Sequence, residues 1–369
     1  MKRFKLGVIG GGINSAVGRA HFCASRMDGN FEWHAGHFSR AKGVQEASMN
    51  AYGVGLSLVD ENGKINLLTA LECDAILVLT PTPDHAKTVK QLLSANIPVI
   101  CEKSLATSTA ELSTIPNRDT NFLAVMYNYT GYPMVREMRK LIENGSTGRI
   151  LSFEADMPQE GYLRDGSKPQ LWRLKDGAIP MLHLDLGVHL HHMIRYLIGS
   201  KPISMTADQR TCSKFGVIDS VNALVNYNNG MRGSMRFGKS SLGARNGLSI
   251  SVHGEFGSLS WRQTDPENLY CATSTGVQRI IDRGDINCLE CNQARYQRFK
   301  VGHPAGFIEA MANVYDDIAS HLGDYYELKK GESFWVNPEV GDWRTSMEGL
   351  QLMEAMVESA ETGLWTGLK

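Results

Sequence analysis

A short apolar run, Lys5-Leu6-Gly7-Val8-Ile9, leads directly into Gly10-Gly11-Gly12, and Ser15 to Met27 then follow with helical spacing. Strand, glycine turn and helix in that order can bring a main chain against a pyrophosphate. Gly10 permits the tight turn, Gly12 lets the backbone approach, and the helix N-terminus offers N–H groups and partial positive charge. The third fingerprint position is Ser15 instead of glycine, with Gly18 three residues later. Gly10, Gly12, Ile13, Asn14 and Ser15 are the candidate cofactor contacts of this turn. A purely structural glycine turn would read the same way.

The rest of the first third alternates strand-like and helix-like stretches. Phe31–Phe38 is strand-like, and Ala41–Tyr52 is helical and ends at Gly53. Asp74–Thr80 is a continuous apolar run suited to a strand buried on both faces, Pro83–Ala95 is helical, and Pro98–Glu102 is strand-like. This alternation predicts a doubly wound parallel sheet, an α/β nucleotide-binding fold over residues 1–127. Beyond it the pattern changes. Pro133–Asn144 reads as a helix and Arg149–Met157 as a strand. Residues 158–180 have no clear period, and Leu186–Leu197 is helical up to Gly199. Strands fill 203–262, including a hairpin about Asn228-Asn229-Gly230 and a second about residues 254–257. Phe307–Leu322 and Arg344–Ser359 are helical. Residues 128–369 are therefore expected to form an α+β domain with a large, mostly antiparallel open sheet, the C-terminal helix packing back on the first domain.

Ligands of doubly wound sheets bind outside the carboxyl ends of the strands. Two polar motifs sit at such ends: Thr80-Pro81-Thr82-Pro83-Asp84-His85 and Cys101-Glu102-Lys103-Ser104. Thr80, Pro81, His85, Glu102 and Lys103 are the cofactor candidates there. The residue closing the second strand reads the adenosine ribose. Ser39-Arg40 stands there with no acid, which suits a 2′-phosphate and favours NADP over NAD.

Asp185 and His189 lie four residues apart, near each other across the first turn of a helix. Oxidation of an alcohol needs a base for the hydroxyl proton. Histidine titrates in the right range, and a carboxylate can orient it. The bland reading makes Asp185 a helix N-cap. A metal-dependent lyase or hydrolase using His183, Asp185, His189 and His192, or a non-catalytic nucleotide sensor, are the alternatives. Cys288-x-x-Cys291 is the one C-x-x-C pair. Cys271 and His303 would complete a zinc site only by chance of folding, so the pair reads as two reduced thiols in a loop.

The formal net charge is −1, from 38 basic and 39 acidic side chains, which gives no footprint for nucleic acid or an anionic membrane. No apolar run is long enough to span a bilayer, and Leu6–Ile9 is too short for a signal-peptide core. Seven scattered cysteines do not make a secreted framework. A cytoplasmic location is expected.

The chain resembles the glucose–fructose oxidoreductase/inositol dehydrogenase/MocA (Gfo/Idh/MocA) family over nearly its whole length. It is most similar to a branch with an enlarged glycine turn, here Gly10 to His21. That branch also has counterparts of Tyr127–Pro133, Trp172-Arg173, Gly257–Gln263 and Gly302–Phe307. The resemblance implies an NAD(P)-dependent oxidoreductase acting on a CH–OH group of a sugar, inositol or nucleotide sugar. It implies that Lys103 sits by the nicotinamide and the reacting hydroxyl, with Asp185 and His189 flanking the same carbon. Lys103, Tyr162, Trp172, Arg173, His189 and His303 are the expected substrate residues, and the open sheet is the expected interface of a homodimer or homotetramer. Two departures stand out: Ser104 replaces the proline of the family's Glu-Lys-Pro motif, and Thr82 replaces a common asparagine.

Overall fold

The computed structural model describes residues 3–60, 62–328 and 337–368. The chain divides into two compact units, residues 1–131 with 307–346, and residues 132–306 with 347–369.

The first unit is built on β1 (Phe4–Gly10), α1 (Ala16–Arg26), β2 (Phe31–His37), α2 (Lys42–Tyr52), β3 (Leu56–Ser57), α3 (Leu67–Leu71), β4 (Ala75–Leu79), α4 (His85–Ser94), β5 (Val99–Glu102), α5 (Thr109–Ser113) and β6 (Leu123–Met126). All six strands are parallel, in the order β3-β2-β1-β4-β5-β6. This is the doubly wound order, with its switch point between β1 and β4, where Gly10 pairs in register with Leu79. All five residues of β4 are buried, as a central parallel strand requires. The helix Phe307–Glu327 adds Met311, Val314, Tyr315, Ile318 and Leu322 to the core beside Leu6, Phe31 and Ala124. Each such large apolar side chain contributes about 1.5–3 kcal/mol. Residues 307–346 thus belong with the first unit, so the division is not the single cut after residue 127 that the sequence suggests. The sequence pattern shows where helices begin and end, but not which core a late helix completes.

The motif Tyr127–Pro133 begins in this unit. Asn313 Nδ2 donates to the Gly131 carbonyl at 2.8 Å, and a Cβ at Gly131 would lie 1.9 Å from the Ala310 carbonyl oxygen. The motif is the seat of the helix Phe307–Glu327.

The second unit holds α6 (Pro133–Glu143), β7 (Ile150–Pro158), α7 (Val188–Ile198), β8 (Pro202–Arg210), β9 (Ser220–Tyr227), β10 (Arg232–Gly238), β11 (Ser249–Gly254), β12 (Gly257–Arg262), β13 (Asp265–Thr273), β14 (Gln278–Ile281) and β15 (Thr366–Gly367). They form a nine-stranded sheet, β14-β13-β12-β11-β7-β10-β9-β8-β15, antiparallel except where β10 runs parallel to β7. Strict burial alternation, as in Val221, Ala223, Val225 and Tyr227 of β9, places one face in the core under α6 and α7. The other face carries Leu151, Ile203 and Leu224, each 43–53% exposed, among Ser, Asn and charged residues. It is less apolar than an uncovered hydrophobic face would be.

Candidate active site

In the first unit the glycine turn is held from below by an aromatic cluster. Phe22, Trp33 and Tyr52 pack with ring centroids 4.6–5.0 Å apart, and the Tyr52 hydroxyl donates to the Gly11 carbonyl at 3.1 Å. Gly10 has φ +87°, and a Cβ there would stand 2.5 Å from the Leu79 carbonyl oxygen. Ser15 caps α1, its Oγ accepting from the Gly18 N–H at 3.1 Å. Serine at the third fingerprint position is therefore an N-cap. The close packing expected of the third glycine passes to Gly18, where a Cβ would lie 1.9 Å from the Gly11 carbonyl oxygen. The N–H groups of Ala16 and Val17, at the helix start, have no intrahelical acceptor and suit a phosphate.

At the end of β4, Thr80 Oγ1 is a buried hydroxyl without a hydrogen-bond partner, as a ligand contact would be. His85 behaves differently from the sequence expectation of a cofactor contact. It is 1% exposed, with Nδ1 2.8 Å from the Ser104 carbonyl and Nε2 2.7 Å from the Thr80 carbonyl. It ties the two strand-end motifs together and has no ring nitrogen left for a ligand. Burial pushes its pKa down, outweighing the carbonyls that favour the charged ring.

Glu102 ends β5 inside a polar network. Its Oε1 lies 3.1 Å from His21 Nε2, while Oε2 accepts the Lys103 N–H at 3.1 Å; His21 Nδ1 is 2.7 Å from the Tyr315 hydroxyl. Glu102 is thus a brace for the backbone of Lys103. Lys103 is half-buried, and the peptide joining it to Ser104 is cis. Arg40 is exposed at the end of β2 and pairs with Asp84 at 3.6 Å, and Ser39 Oγ accepts the Ala41 N–H. Sequence reasoning placed Asp84 and His21 in their motifs but assigned them no partners, and passed over Tyr315, because these contacts exist only across the fold. The cradle of glycines, the open α1 N-terminus and the orphaned Thr80 hydroxyl fit a dinucleotide.

In the second unit Asp185 lies in a five-residue π-helical segment, His183–Gly187, which precedes α7. Helical backbone already begins at residue 181, where Asp176 Oδ1 accepts the Met181 N–H at 2.9 Å. Asp185 is therefore neither an N-cap nor in a first turn, as the sequence spacing suggested; the Asp176 carboxylate starts the helix one turn earlier. π-Segments recur at functional positions. Gly187 lets the segment pack closely, since a Cβ there would meet Met353 Sδ at 2.5 Å and Phe237 at 3.0 Å.

The Asp185 carboxylate is paired with Lys239 and with Arg173. Lys239 follows β10. Its N–H donates to the Asp219 carbonyl and its own carbonyl accepts from the Tyr162 N–H, which places Lys239 and Tyr162 side by side. The Lys239 ammonium stands 5.2 Å from the Tyr162 ring centroid, and the Arg173 guanidinium 4.3 Å from that of Trp172. Desolvation, then the Asp185 charge, pushes the Tyr162 hydroxyl up to about 12. Tyr162, Trp172, Arg173 and Asp185 thus come together, with Lys239 as the member that sequence reasoning missed. His189 is 7% exposed on α7. His303 is not in this group: its ring lies exposed against Phe299, and its carbonyl accepts from Arg283.

The four-residue metal reading is not supported. Asp185 is committed to two cations, and His183 packs edge-on to Phe237 with neither ring nitrogen bonded. Burial pushes His183 and His192 down to about 3. Among the described residues these four do not form a ligand group.

Residues 4–118 match the oxidoreductase family with NAD-binding Rossmann fold, and residues 135–260 match the Gfo/Idh/MocA C-terminal domain. The chain belongs to the Gfo/Idh/MocA family. It is a nicotinamide-dependent oxidoreductase. Among its relatives, the uncharacterized oxidoreductase YfiI of Bacillus subtilis is 26% identical over 100% of this chain and 98% of its own. Levoglucosan dehydrogenase of Pseudarthrobacter phenanthrenivorans is 26% identical over 74% of this chain and 77% of its own. An inositol dehydrogenase homologue of Azotobacter vinelandii, solved with NADH and myo-inositol, shares the fold with a TM-score of 0.84 at 23% identity, over 99% of this chain and 98% of that one. No helix among the described residues is long and apolar enough to cross a membrane.

Proposed function

We propose that this Gfo/Idh/MocA protein is a dehydrogenase or reductase of a CH–OH group on a sugar or cyclic polyol. The observation that carries the reading is the Asp185 group. A carboxylate paired with Lys239 and Arg173, with Trp172 and Tyr162 beside them, offers the donors, acceptors and flat apolar faces that a polyhydroxylated ring uses. Relatives named for levoglucosan and inositol support the same substrate class.

Bound nicotinamide supplies the hydride acceptor or donor. His189 takes the hydroxyl proton in oxidation and returns it in reduction. Asp185, anchored by two cations, fixes the position of the groups around that proton, and Lys103 stabilises the developing alkoxide. Gly10, Gly12 and the α1 N-terminus hold the pyrophosphate, and Thr80 bonds the nicotinamide half. Ser39 and Arg40, with no acid at the end of β2, favour NADP over NAD. Two or four copies associate through the open sheet face in the cytoplasm, where seven free thiols are stable.

The test is a screen of sugars and cyclic polyols with NADP and NAD, followed by nicotinamide absorbance. Turnover of at least one such substrate is expected, and none across the panel overturns the reading. Fluorescence titration with NADPH and NADH tests the cofactor, and clearly tighter NADH binding reverses that choice. Light scattering showing only monomer at micromolar concentration removes the oligomer.

A further inference from the structure

Residues 282–306 of the second unit contain one regular element, the three-residue turn Ala294–Tyr296. A run of this length needs anchors other than backbone ladders. One is Arg283, 2% exposed, which donates to Glu267 at 2.6 Å and to the carbonyls of Tyr296, Phe299 and His303 at 2.7–3.1 Å. The other is Glu137 of α6, fully buried. Its carboxylate accepts the N–H groups of Leu289, Glu290 and Cys291 at 2.7–3.1 Å. Among the described residues no Lys, Arg or His forms an ion pair with it. Beside it lie two thiols.

We propose that Glu137, Cys288 and Cys291 bind a zinc ion that fastens the 282–306 segment to α6. One ligand atom from each lies within 4.8 Å of the others, and all three residues are buried. Zn–S and Zn–O bonds of ~2.3 and ~2.1 Å put tetrahedral ligand atoms roughly 3.5–3.8 Å apart, so closure needs about an ångström or less. The two sulfurs already converge, both facing the Asp282 carbonyl at 3.4 and 3.9 Å. The three N–H donors fix the position of the carboxylate, as outer-shell donors do at metal centres, and Oε1, with one N–H, keeps a lone pair. Two thiols and a carboxylate suit zinc. A cavity of about 130 Å³, lined by Glu137 and Cys288 together with Cys271, Arg279 and Asp285, gives a route in and room for water as fourth ligand. Binding releases both thiol protons, leaving two thiolates, one carboxylate and Zn²⁺ with a net charge of −1 that Arg279 offsets. This site is separate from the Asp185 group and does not depend on the proposed activity.

The experiment loads the full chain with zinc chloride under reducing conditions, desalts it, and measures metal by mass spectrometry. About one zinc per chain is expected, retained when the exposed thiols are removed in C23S/C212S and lost in C288S/C291S. Cobalt in place of zinc should give a thiolate charge-transfer band that the double variant lacks. Glu137→Gln keeps an acceptor for the loop amides and covers the case in which the double variant does not fold. It should bind zinc at least roughly ten-fold more weakly, the lower bound for loss of even an outer-shell partner. No retained metal, metal retained equally by C288S/C291S, or a Cys288–Cys291 disulfide in unreduced protein would each overturn the proposal.

Discussion

The ammonium of Lys239 donates to the carboxylate of Asp185, joining the end of β10 to the π-segment ahead of α7. Side-chain exposures of 9% and 16% make this a largely desolvated pair, with Arg173 as the outer partner. Lys239→Met leaves Asp185 with one cation and should cost about 1–3 kcal/mol of stability, the range for leaving a buried polar group short of a partner. Lys239→Arg should recover most of it. Urea unfolding checks both, and a methionine variant within about 0.5 kcal/mol of wild type contradicts the assignment.

With Lys103 stabilising the alkoxide as proposed, Lys103→Ala should lower turnover ~10²–10³-fold, the usual loss for one oxyanion donor, and leave nicotinamide cofactor affinity nearly intact. His189→Ala should do the same. Near-normal turnover in both variants on a true substrate means that the chemistry lies elsewhere.

His183 and His192 give the fold a specific acid sensitivity. Burial holds both near 3, against 6.5 in the unfolded chain, so as pH falls below 6.5 the unfolded state takes up protons first. Each then removes roughly 1.4 kcal/mol of stability per pH unit until about pH 3. His183→Leu, which replaces an unbonded ring against Phe237, should shift acid unfolding to lower pH, as followed by circular dichroism. An unchanged midpoint would show that His183 is not held neutral.

Gly18→Ala should disrupt the cofactor turn, because its methyl group would meet the Gly11 carbonyl oxygen. A loss of about 1–3 kcal/mol and weaker nicotinamide cofactor binding are expected. Gly43→Ala, in α2 with nothing within 4 Å, should be neutral or stabilising by up to about 1 kcal/mol. Equal behaviour of the two variants in thermal melts and in titration with the reduced nicotinamide cofactor would remove the packing argument.

The parallel sheet was legible because Asp74–Thr80 is continuously apolar and Gly10–Gly12 break the chain where β1 must turn. The hairpin at Asn228–Gly230 was legible for the same kind of local reason. β13 and β14 were not, since Asp265-Pro266-Glu267-Asn268 opens the first with turn-forming residues. Asp185 could be picked out by its distance from His189, but the start of its helix depends on Asp176 and its charge on Lys239. Those partners are 9 and 54 positions away, and only the folded chain sets them. His85 was placed in the right motif with the wrong partner, because nothing local to Thr80–His85 reveals the Ser104 carbonyl.

The first unit is discontinuous: its core takes Met311 through Leu322 and Val340 from near the end of the chain. During synthesis the six-stranded sheet emerges complete by residue 126, yet the surface that the Phe307–Glu327 helix covers stays exposed for some 180 further residues. At ~5–20 residues per second that is an interval of roughly 10–40 seconds. A nascent first unit therefore waits with that part of its core uncovered, and a fragment ending at residue 131 lacks the side chains from Met311 to Leu322 that complete it.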